Sequence, residues 1–300
     1  MKILVLGSGG VGGCIGAYLS KAGKDVTLIA RGQHLEKMQE QGLVIESSQG
    51  QEIIPVHAMG LKDYKEIADV IFVCFKGYSL MNMVDEIKRV SDAHTIIIPI
   101  LNVYGTGARL QKLVDAKVCD GCIYIASEIK EPGVIWKKGE IFKLVYGRRD
   151  HVVDESLVKI QKDLMDSGIE AVVSRNIQAE AFEKYSYISA AATCGLYYHA
   201  TAEAMQKPGK ERELFAQLVH EIETLARAMD IPFQKNMVEY NLSILDSLDP
   251  QASTSMQRDI MQGKPSEIDG LIYEVGRLAK KYGVKLPCYQ KIIAQFQQFC

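Results

Sequence analysis

The stretch Ile3-Leu-Val-Leu-Gly-Ser-Gly-Gly-Val-Gly-Gly-Cys-Ile-Gly16 predicts a strand, a glycine turn and a helix in close succession. Its apolar run breaks at glycines, and apolar and small residues then recur at helical spacing through Leu19. In a dinucleotide-binding loop the first glycine permits the tight turn, the second admits the pyrophosphate, and the third lets the helix pack on the strand. The phosphates lie at the helix N-terminus, against unpaired N–H groups. We therefore predict a dinucleotide site, rather than a purely structural turn, at Gly7, Ser8, Gly9, Gly10, Val11 and Gly12.

The next apolar run indicates which dinucleotide is bound. Residues 26–30 read as a second buried strand, and Arg31 follows it, with Gln33 and His34 close behind. An NAD site normally has a carboxylate about 20 residues after the glycines, where it binds the ribose 2′-hydroxyl. Arg31 offers a guanidinium suited to a 2′-phosphate instead. We predict NADP, the alternative being a solvated arginine at a strand end.

Length and composition exclude several classes of protein. The chain has 300 residues, which favours two domains. Its net charge of −2 gives no basic field for nucleic acid. The longest apolar runs, 70–75 and 96–101, have the length of strands and not of membrane spans. Met1-Lys2 leads directly into the first strand, so we expect no signal peptide and a cytoplasmic protein.

The cysteines support that expectation. There are seven, an odd number, and most lie in apolar runs, which is typical of buried thiols in a reducing compartment. Cys119 and Cys122 have redox or metal spacing, but no second such pair follows and the histidines are scattered. We predict two unrelated thiols and no metal site.

Strand and helix signals alternate up to about residue 175 and then only helix signals remain. The alternation is typical of a parallel sheet covered by helices, with strands predicted over 70–75 and 96–99 and a helix over 79–91. Residues 128–149 read as short strands of an antiparallel hairpin, 133–137 and 141–146 among them. The later helices include 176–205 and 288–299. We predict an α/β fold, a Rossmann-type dinucleotide-binding domain over 1–175 followed by an all-α domain over 176–300. Ligands of such sheets bind beyond the carboxyl ends of the strands. We therefore expect an active site in the cleft between the domains.

Polar residues at element ends are the candidates for chemistry. Lys76 follows the apolar strand 70–75, and Asn102 follows 96–101; a surface lysine and a loop-turn asparagine are the alternatives. Lys184 lies within the long helix predicted from residue 176, among aromatic and apolar residues. An apolar setting lowers the proton affinity of a lysine, which suits a general acid, although the stem can also extend to solvent.

Two further segments read as capping boxes at helix starts. They are Thr254-Ser-Met-Gln257 and Ser266-Glu-Ile-Asp269, and the second places Glu267 in a first helical turn. Capping alone explains both segments.

Taken together, these motifs resemble the ketopantoate reductase (2-dehydropantoate 2-reductase) family over essentially the whole chain. Besides the glycine motif and Arg31, the match comprises Phe75-Lys76, Leu101-Asn102, Glu131-Pro-Gly-Val-Ile135, Asn176-Ile177, Phe182-Glu-Lys184, Ser253-Thr-Ser-Met256, Asp259 and Ser266-Glu-Ile-Asp269. The resemblance implies hydride transfer from NADPH to the ketone of a small 2-oxo acid, as in the reduction of ketopantoate to pantoate in pantothenate and coenzyme A biosynthesis.

The resemblance also implies roles for individual residues. Lys184 would protonate the developing alkoxide, and Glu267 would act with it, bonding to the substrate hydroxyl or the cofactor. Ser255 would bind the substrate carboxylate. Lys76 and Asn102 would contact cofactor and substrate near the reacting carbon.

The chain departs from the family where substrate is bound. The family's helix carries asparagines four and eight residues after the lysine, and here those positions are Ile188 and Ala192. A third family asparagine falls near Ala202 and has no match, and the usual Gln-Asn-Gly reads Leu101-Asn-Val103. The polar substitutes close to these positions are Tyr187, Ser189 and Thr193.

Three hypotheses therefore remain open. The first is a ketopantoate reductase, the second a reductase of the same family acting on a more apolar 2-oxo acid or ketone, and the third a non-catalytic NADP-binding protein. The sequence leaves the oligomeric state open, a homodimer included.

Overall fold

The chain divides into two compact units. Unit 1 comprises Met1–Leu101 and Gly105–Ile177, and unit 2 comprises Asn102–Tyr104 and the chain from Gln178 onward. This computed structural model describes residues 1–231 and 233–297. Pro232, Cys300 and the end of the helix predicted over 288–299 lie outside the described residues. The predicted fold class is confirmed, since a parallel α/β unit precedes a helical one.

The main sheet of unit 1 has six parallel strands in the order β5-β2-β1-β6-β7-β8. Alternate residues of its central strands enter different cores: Ile3 and Val5 lie in one, and Leu4 and Leu6 in the other. Both faces of the sheet are therefore buried, which is why these strands read as continuous apolar runs. The strands are β1 (Ile3–Leu6), β2 (Val26–Ile29), β5 (His57–Met59), β6 (Val70–Val73), β7 (Ile96–Pro99) and β8 (Lys117–Val118).

Five helices accompany the strands of unit 1. In place of the single predicted helix over 79–91, two 3-10 turns, Gly77–Ser79 and Met81–Met83, precede a short helix. The helices are α1 (Gly10–Lys21), α2 (Gly32–Gln41), α3 (Val84–Arg89), α4 (Thr106–Gln111) and α5 (Glu155–Asp166).

A second, mixed sheet is the main difference from the predicted single parallel sheet. It has the order β11-β10-β3-β4, with β9 paired antiparallel to β10. The predicted antiparallel hairpin is present, but its strands are long. The predicted pieces 133–137 and 141–146 form one strand that bends at an irregularity after Lys138, where Gly139 has a φ of 66°. The strands are β3 (Leu43–Ser47), β4 (Gly50–Ile54), β9 (Asp120–Glu131), β10 (Val134–Gly147) and β11 (Glu170–Val173).

Unit 2 is built on the long helix α6. The helix predicted over 176–205 ends earlier, because His199 adopts a left-handed φ of 52°, and a short separate helix follows. The helices are α6 (Ile177–Tyr198), α7 (Ala202–Gln206), α8 (Lys210–Ala228), α9 (Met237–Asp246), α10 (Ser255–Met261), α11 (Glu274–Tyr282) and α12 (Pro287–Gln297).

The two predicted capping boxes have different outcomes. The box at Thr254 is confirmed: its hydroxyl accepts from the Gln257 N–H, and the Gln257 side chain accepts from the Thr254 N–H. The box at Ser266 is wrong. A π-helical turn, Asp269–Tyr273, begins there without a side-chain cap, and the Asp269 carboxylate binds Arg277 instead.

The carbonyl groups of this π turn are bonded by α6. The Tyr185 hydroxyl donates to the Gly270 carbonyl at 2.8 Å, and the Ser189 hydroxyl donates to the Leu271 carbonyl at 2.6 Å. Tyr185 and Ser189 are four residues apart and share one face of the helix. Ser189 in turn accepts from the Tyr289 hydroxyl at 2.7 Å, because its own proton is given to Leu271. Two adjacent carbonyls thus fix the register of the turn against α6.

Gly270 also lets the segment 102–104 approach the turn closely. A Cβ at this position would lie 2.4 Å from Cγ2 of Val103. Real Cβ atoms do not approach so closely, so the Val103 side chain occupies the space that a side chain at residue 270 would need. Val103 stands where the family pattern has a glycine, and the absence of a side chain at Gly270 makes room for it.

We expect Gly270→Ala to lower the free energy of unfolding by about 1–3 kcal/mol, because the added methyl overpacks against Val103. Ordinarily this substitution favours a helix by about 1 kcal/mol. Val103→Ala in the same chain should recover part of the loss, as a denaturant double-mutant cycle would show. Gly276→Ala is the control, since its Cβ would meet only the flexible end of Ile293. Stability unchanged in Gly270→Ala would contradict this packing.

Candidate active site

The glycine loop of unit 1 joins β1 to α1 at a very close approach of backbone to backbone. Gly7 has a φ of 98°, and a Cβ there would lie 2.9 Å from the Phe75 nitrogen. A Cβ at Gly12 would lie 2.1 Å from the Gly7 carbonyl oxygen and 2.8 Å from Cβ of Cys74. Glycine is therefore required at both positions by the protein's own packing, as the sequence pattern predicts.

Gly9 differs from both. A Cβ at Gly9 would have no atom within 4 Å, so packing within the protein does not demand a glycine here. Gly9 is the N-cap of the 12-residue helix α1, whose first N–H groups have no partner within the helix. An open backbone at a helix N-terminus fits the pyrophosphate of a dinucleotide.

The other three predicted loop residues contribute chiefly to packing. The Ser8 hydroxyl and N–H both donate to the Ile29 carbonyl, at 2.9 and 3.0 Å. A Cβ at Gly10 would lie 2.7 Å from the Ser127 carbonyl oxygen, and Val11 packs against the core of unit 1. A ligand would therefore meet the backbone of these residues, not their side chains.

Arg31 and Lys76 follow β2 and β6, the two strands on either side of β1 in the main sheet. Arg31 is the exposed N-cap of α2 and is separated from β2 by Ala30. Lys76 is partly exposed and follows β6, at the N-cap of the first 3-10 turn. His34 has no ring nitrogen left for a 2′-phosphate, because Nε2 lies 2.8 Å from the Ser8 carbonyl and Nδ1 accepts from the Gly133 N–H at 2.9 Å.

In unit 2, the structure brings Lys184 and Asn102 together. Nζ of Lys184 donates to Oδ1 of Asn102 at 3.0 Å. A lysine ammonium can only donate, so the contact also fixes which end of the amide faces it. The two residues are 82 positions apart in sequence.

Aromatic packing holds Asn102 in place. Tyr104 makes an edge contact with Phe182 at 4.6 Å between ring centroids and lies 6.0 Å from the ring of Tyr185. Phe182 and Tyr185 lie on either side of Lys184 in the sequence of α6. Together with Val103 on Gly270, these contacts anchor three consecutive residues to the unit that carries the lysine.

Glu267 and Ser255 belong to the same unit. Glu267 is 4% exposed and is separated from the π turn by Ile268, and its carbonyl accepts from the Leu271 N–H at 2.9 Å. Ser255 is the partly exposed first residue of α10. That helix lies tight against α6, since a Cβ at Gly195 would be 2.4 Å from Nε2 of Gln257.

The polar substitutes near the missing asparagines are committed to the helical core. Ser189 and Thr193 are fully buried, and Ser189 bonds to Leu271 and Tyr289. Burial raises the pKa of Tyr187 to about 12, and its ring packs edge-on against Phe215. Ala192 is fully buried as well. The face of α6 that follows Lys184 is therefore apolar.

Sequence reasoning missed the contacts that connect these groups. Tyr185, Ser189 and Gly270 join α6 to the π turn, and Gly133 joins the hairpin to His34. The spacing of Tyr185 and Ser189 by four residues was the one available signal.

Most of the described cysteines are buried thiols. Cys14, Cys119, Cys122 and Cys194 are buried, Cys74 and Cys288 are partly buried, and none of these six forms a disulfide. Cys119 and Cys122 lie in different hydrophobic clusters, and burial raises the pKa of the Cys119 thiol to about 12. Within residues 1–231 and 233–297 no three histidine, cysteine or acidic side chains form a metal-binding group. In the same ranges we found no helix of the length and hydropathy that a membrane crossing requires.

Comparison with known proteins matches both parts of the chain to one family. Residues 3–151 match the family model described as Ketopantoate reductase PanE/ApbA, and residues 176–299 match the model of its C-terminal part. An uncharacterized oxidoreductase, YkpB of Bacillus subtilis, is 26% identical over 300 residues, covering 100% of this chain and 99% of that protein. A 2-dehydropantoate 2-reductase of Mesorhizobium japonicum is 26% identical over 312 residues, covering 94% and 93%.

Solved structures agree on the fold. The crystal structure of a 2-dehydropantoate 2-reductase from Geobacter metallireducens superimposes with a TM-score of 0.92 at 18% identity, covering all of both chains. With family models matched on both parts of the chain and the glycine loop built as its motif requires, this protein belongs to the ketopantoate reductase family.

Proposed function

We propose that this protein is an NADPH-dependent reductase that converts a 2-oxo acid to a 2-hydroxy acid, with 2-dehydropantoate as the substrate and pantoate as the product. The observation that carries the proposal is the 3.0 Å bond from Lys184 to Asn102. A bare dinucleotide-binding protein has no need of an oriented lysine on its helical unit. A ketone reductase needs one to supply a proton.

Lys184 acts as the general acid. Its ammonium has three N–H donors, and the amide oxygen of Asn102 accepts one of them. This bond restricts rotation about the last bond of the side chain. A second N–H then donates to the ketone oxygen, and its proton passes to the alkoxide as negative charge develops there. Lys184 is left as a neutral amine that still donates to Asn102.

The residues of unit 1 hold the cofactor. Gly9 and the first N–H groups of α1 receive the pyrophosphate, and Arg31 receives the 2′-phosphate. Lys76 contacts the cofactor near the reacting carbon. When bound, NADPH supplies the hydride that reduces the carbonyl carbon.

Ser255 and Glu267 orient the substrate. Ser255, at the start of α10, donates to the substrate carboxylate. Glu267 bonds to a substrate hydroxyl or to the cofactor, and its position before the π turn is held by two bonds from α6. Both residues follow the family pattern at a fixed separation in sequence.

A second candidate is a reductase for a more apolar 2-oxo acid. It is favoured by Ile188 and Ala192 at the asparagine positions, and by the bonds that commit Ser189 to Leu271 and Tyr289. Burying the 4-hydroxyl of ketopantoate against apolar side chains would cost about 1–3 kcal/mol.

Replacing Lys184 by alanine should lower turnover by about 10²–10⁴-fold, because the proton donor is lost. NADPH affinity should stay near that of the unaltered enzyme, since the phosphates are held by unit 1. Steady-state assays and NADPH titrations measure the two effects separately. Lys207→Ala is the control, a lysine of unit 2 whose side chain is 68% exposed. Near-normal turnover in Lys184→Ala would exclude this lysine as the acid.

The cofactor preference should depend on Arg31. A charge-assisted pair with the 2′-phosphate contributes about 1.5–3 kcal/mol, so NADPH should bind about 10- to 150-fold more tightly than NADH. Arg31→Ala should remove most of that preference, whereas Arg175→Ala, an exposed arginine of the same unit, should preserve it. Equal binding of both cofactors by the unaltered protein would refute NADP specificity.

The substrate is decided by assaying a panel of 2-oxo acids through NADPH oxidation. The second candidate predicts that a branched-chain 2-oxo acid without the 4-hydroxyl is reduced with a kcat/KM at least equal to that for ketopantoate, because Ile188 and Ala192 cannot bond a hydroxyl. A preference of about 100-fold or more for ketopantoate, about 2.7 kcal/mol, would instead establish the first candidate. No oxidation with any 2-oxo acid would refute both.

A further inference from the structure

His34 is held between two segments of unit 1 that are distant in sequence. It lies in the first turn of α2, three residues after Arg31, and is half buried. Its Nε2 lies 2.8 Å from the carbonyl oxygen of Ser8, in the glycine loop. Its Nδ1 accepts the N–H of Gly133, in the turn between β9 and β10, at 2.9 Å.

These two partners define the protonation state of the ring. A carbonyl oxygen can only accept and a peptide N–H can only donate, so Nε2 must carry the proton and Nδ1 must be bare. The bridge therefore requires the neutral imidazole. Burial lowers the pKa of His34, with the Ser8 carbonyl acting in the opposite direction, so the neutral form is present at neutral pH.

The bond to Ser8 has a consequence for the phosphate-binding backbone. A peptide unit is planar and trans, so the carbonyl of Ser8 and the N–H of Gly9 point in opposite directions. Holding the Ser8 carbonyl on His34 thus directs the Gly9 N–H away from the ring. Gly9 is the loop position where the protein leaves open space beside the backbone.

Gly133, at the other end of the bridge, is held by contacts of its own. Gly133 has a φ of 82°, and a Cβ there would lie 2.6 Å from Cβ of Lys37, so the turn lies directly on α2. The Gly133 carbonyl accepts from the Val44 N–H at 2.9 Å, which ties the same turn to β3. The Glu131-Pro-Gly-Val-Ile135 motif therefore has a structural role, which is to connect the hairpin to α2 and β3.

We propose that His34 is a positioning residue for the dinucleotide, which in its neutral form orients the peptide between Ser8 and Gly9 so that this peptide can bind the pyrophosphate. The inference rests on the cofactor half of the proposed function. Protonation of His34 removes the acceptor at Nδ1 and sets a donor against the Gly133 N–H, so the bridge opens. Dinucleotide affinity should then fall as the pH drops below 6.5 through the lowered pKa of His34.

The charged groups around the bridge lie on two elements. Arg31, Glu36 and Lys37 are on α2, and Lys130 and Glu131 precede Gly133 on the hairpin; the glycine loop, residues 7–12, has no titratable side chain. The shift of the His34 pKa is caused by burial and by the Ser8 carbonyl, not by these charges.

The test measures the dissociation constant of NADP⁺ by calorimetry, without substrate, from pH 8 to 5.5. His34→Ala should weaken binding about 10-fold at pH 7.5, because the Ser8 carbonyl loses its donor. His34→Gln carries a donor and an acceptor that do not titrate, so it should bind within about 3-fold of the unaltered protein.

The pH series separates positioning from a merely structural role. Between pH 7.5 and 5.5 the unaltered protein should lose about 10-fold more affinity than His34→Gln. Titration of the 2′-phosphate, whose pKa is about 6, affects both proteins alike and cancels in the comparison. His220→Gln, an exposed histidine of α8, is the control and should follow the unaltered protein. This comparison decides the matter even where His34→Ala fails to fold.

Two results would overturn the inference. One is the same pH dependence in the unaltered protein and in His34→Gln, and the other is binding by folded His34→Ala within 2-fold of normal. If the unaltered protein bound neither NADP⁺ nor NAD⁺, the proposed function would fall as well, so the two failures are distinguishable.

Discussion

The close approach of α1 to β1 is the constraint on which unit 1 depends. At Gly12 and Gly7 the space that a side chain would need is already occupied by backbone, with only 2.1 Å between a Cβ at Gly12 and the Gly7 oxygen. This approach leaves the N-terminus of α1 open at Gly9, and it places the peptide after Ser8 where α2 and the hairpin can hold it. A phosphate site made of backbone requires such external support, because a loop of glycines has little conformational preference of its own.

Unit 2 depends on side chains rather than on backbone approach. Lys184 is placed by α6, but its partner Asn102 comes from a three-residue segment that Tyr104 and Val103 anchor. The same helix bonds two carbonyls of the π turn that follows Glu267. One helix thus sets the positions of the residues to which we assign acid and substrate contacts. Such positioning matters because a displacement of about 1 Å can cost a reaction about 100-fold in rate.

The sequence was most informative where a single physical cause determines the local structure. Strands buried on both faces read as apolar runs, and the bounds of β6 and β7 were close to those predicted over 70–75 and 96–99. The glycine pattern likewise has one physical cause, the close approach of α1 to β1. The second sheet was missed because the pairing of β3 with β10 depends on which distant segments meet, and no local pattern encodes that choice.

The same distinction applies to the polar side chains near the candidate site. Ser189 reads as a polar substitute close to a missing asparagine, but its hydroxyl donates to the Leu271 carbonyl of the π turn. His34 lies close behind Arg31 in sequence, but both of its ring nitrogens are used within the fold. Whether a polar side chain is free for a ligand depends on its partners in three dimensions.

The backbone-defined cofactor loop can therefore be read from sequence far more securely than the substrate contacts. Substitutions such as Ile188 and Ala192 can change those contacts while the glycine loop stays as it is. Membership of a family and identity of a substrate are for that reason separate questions in this fold.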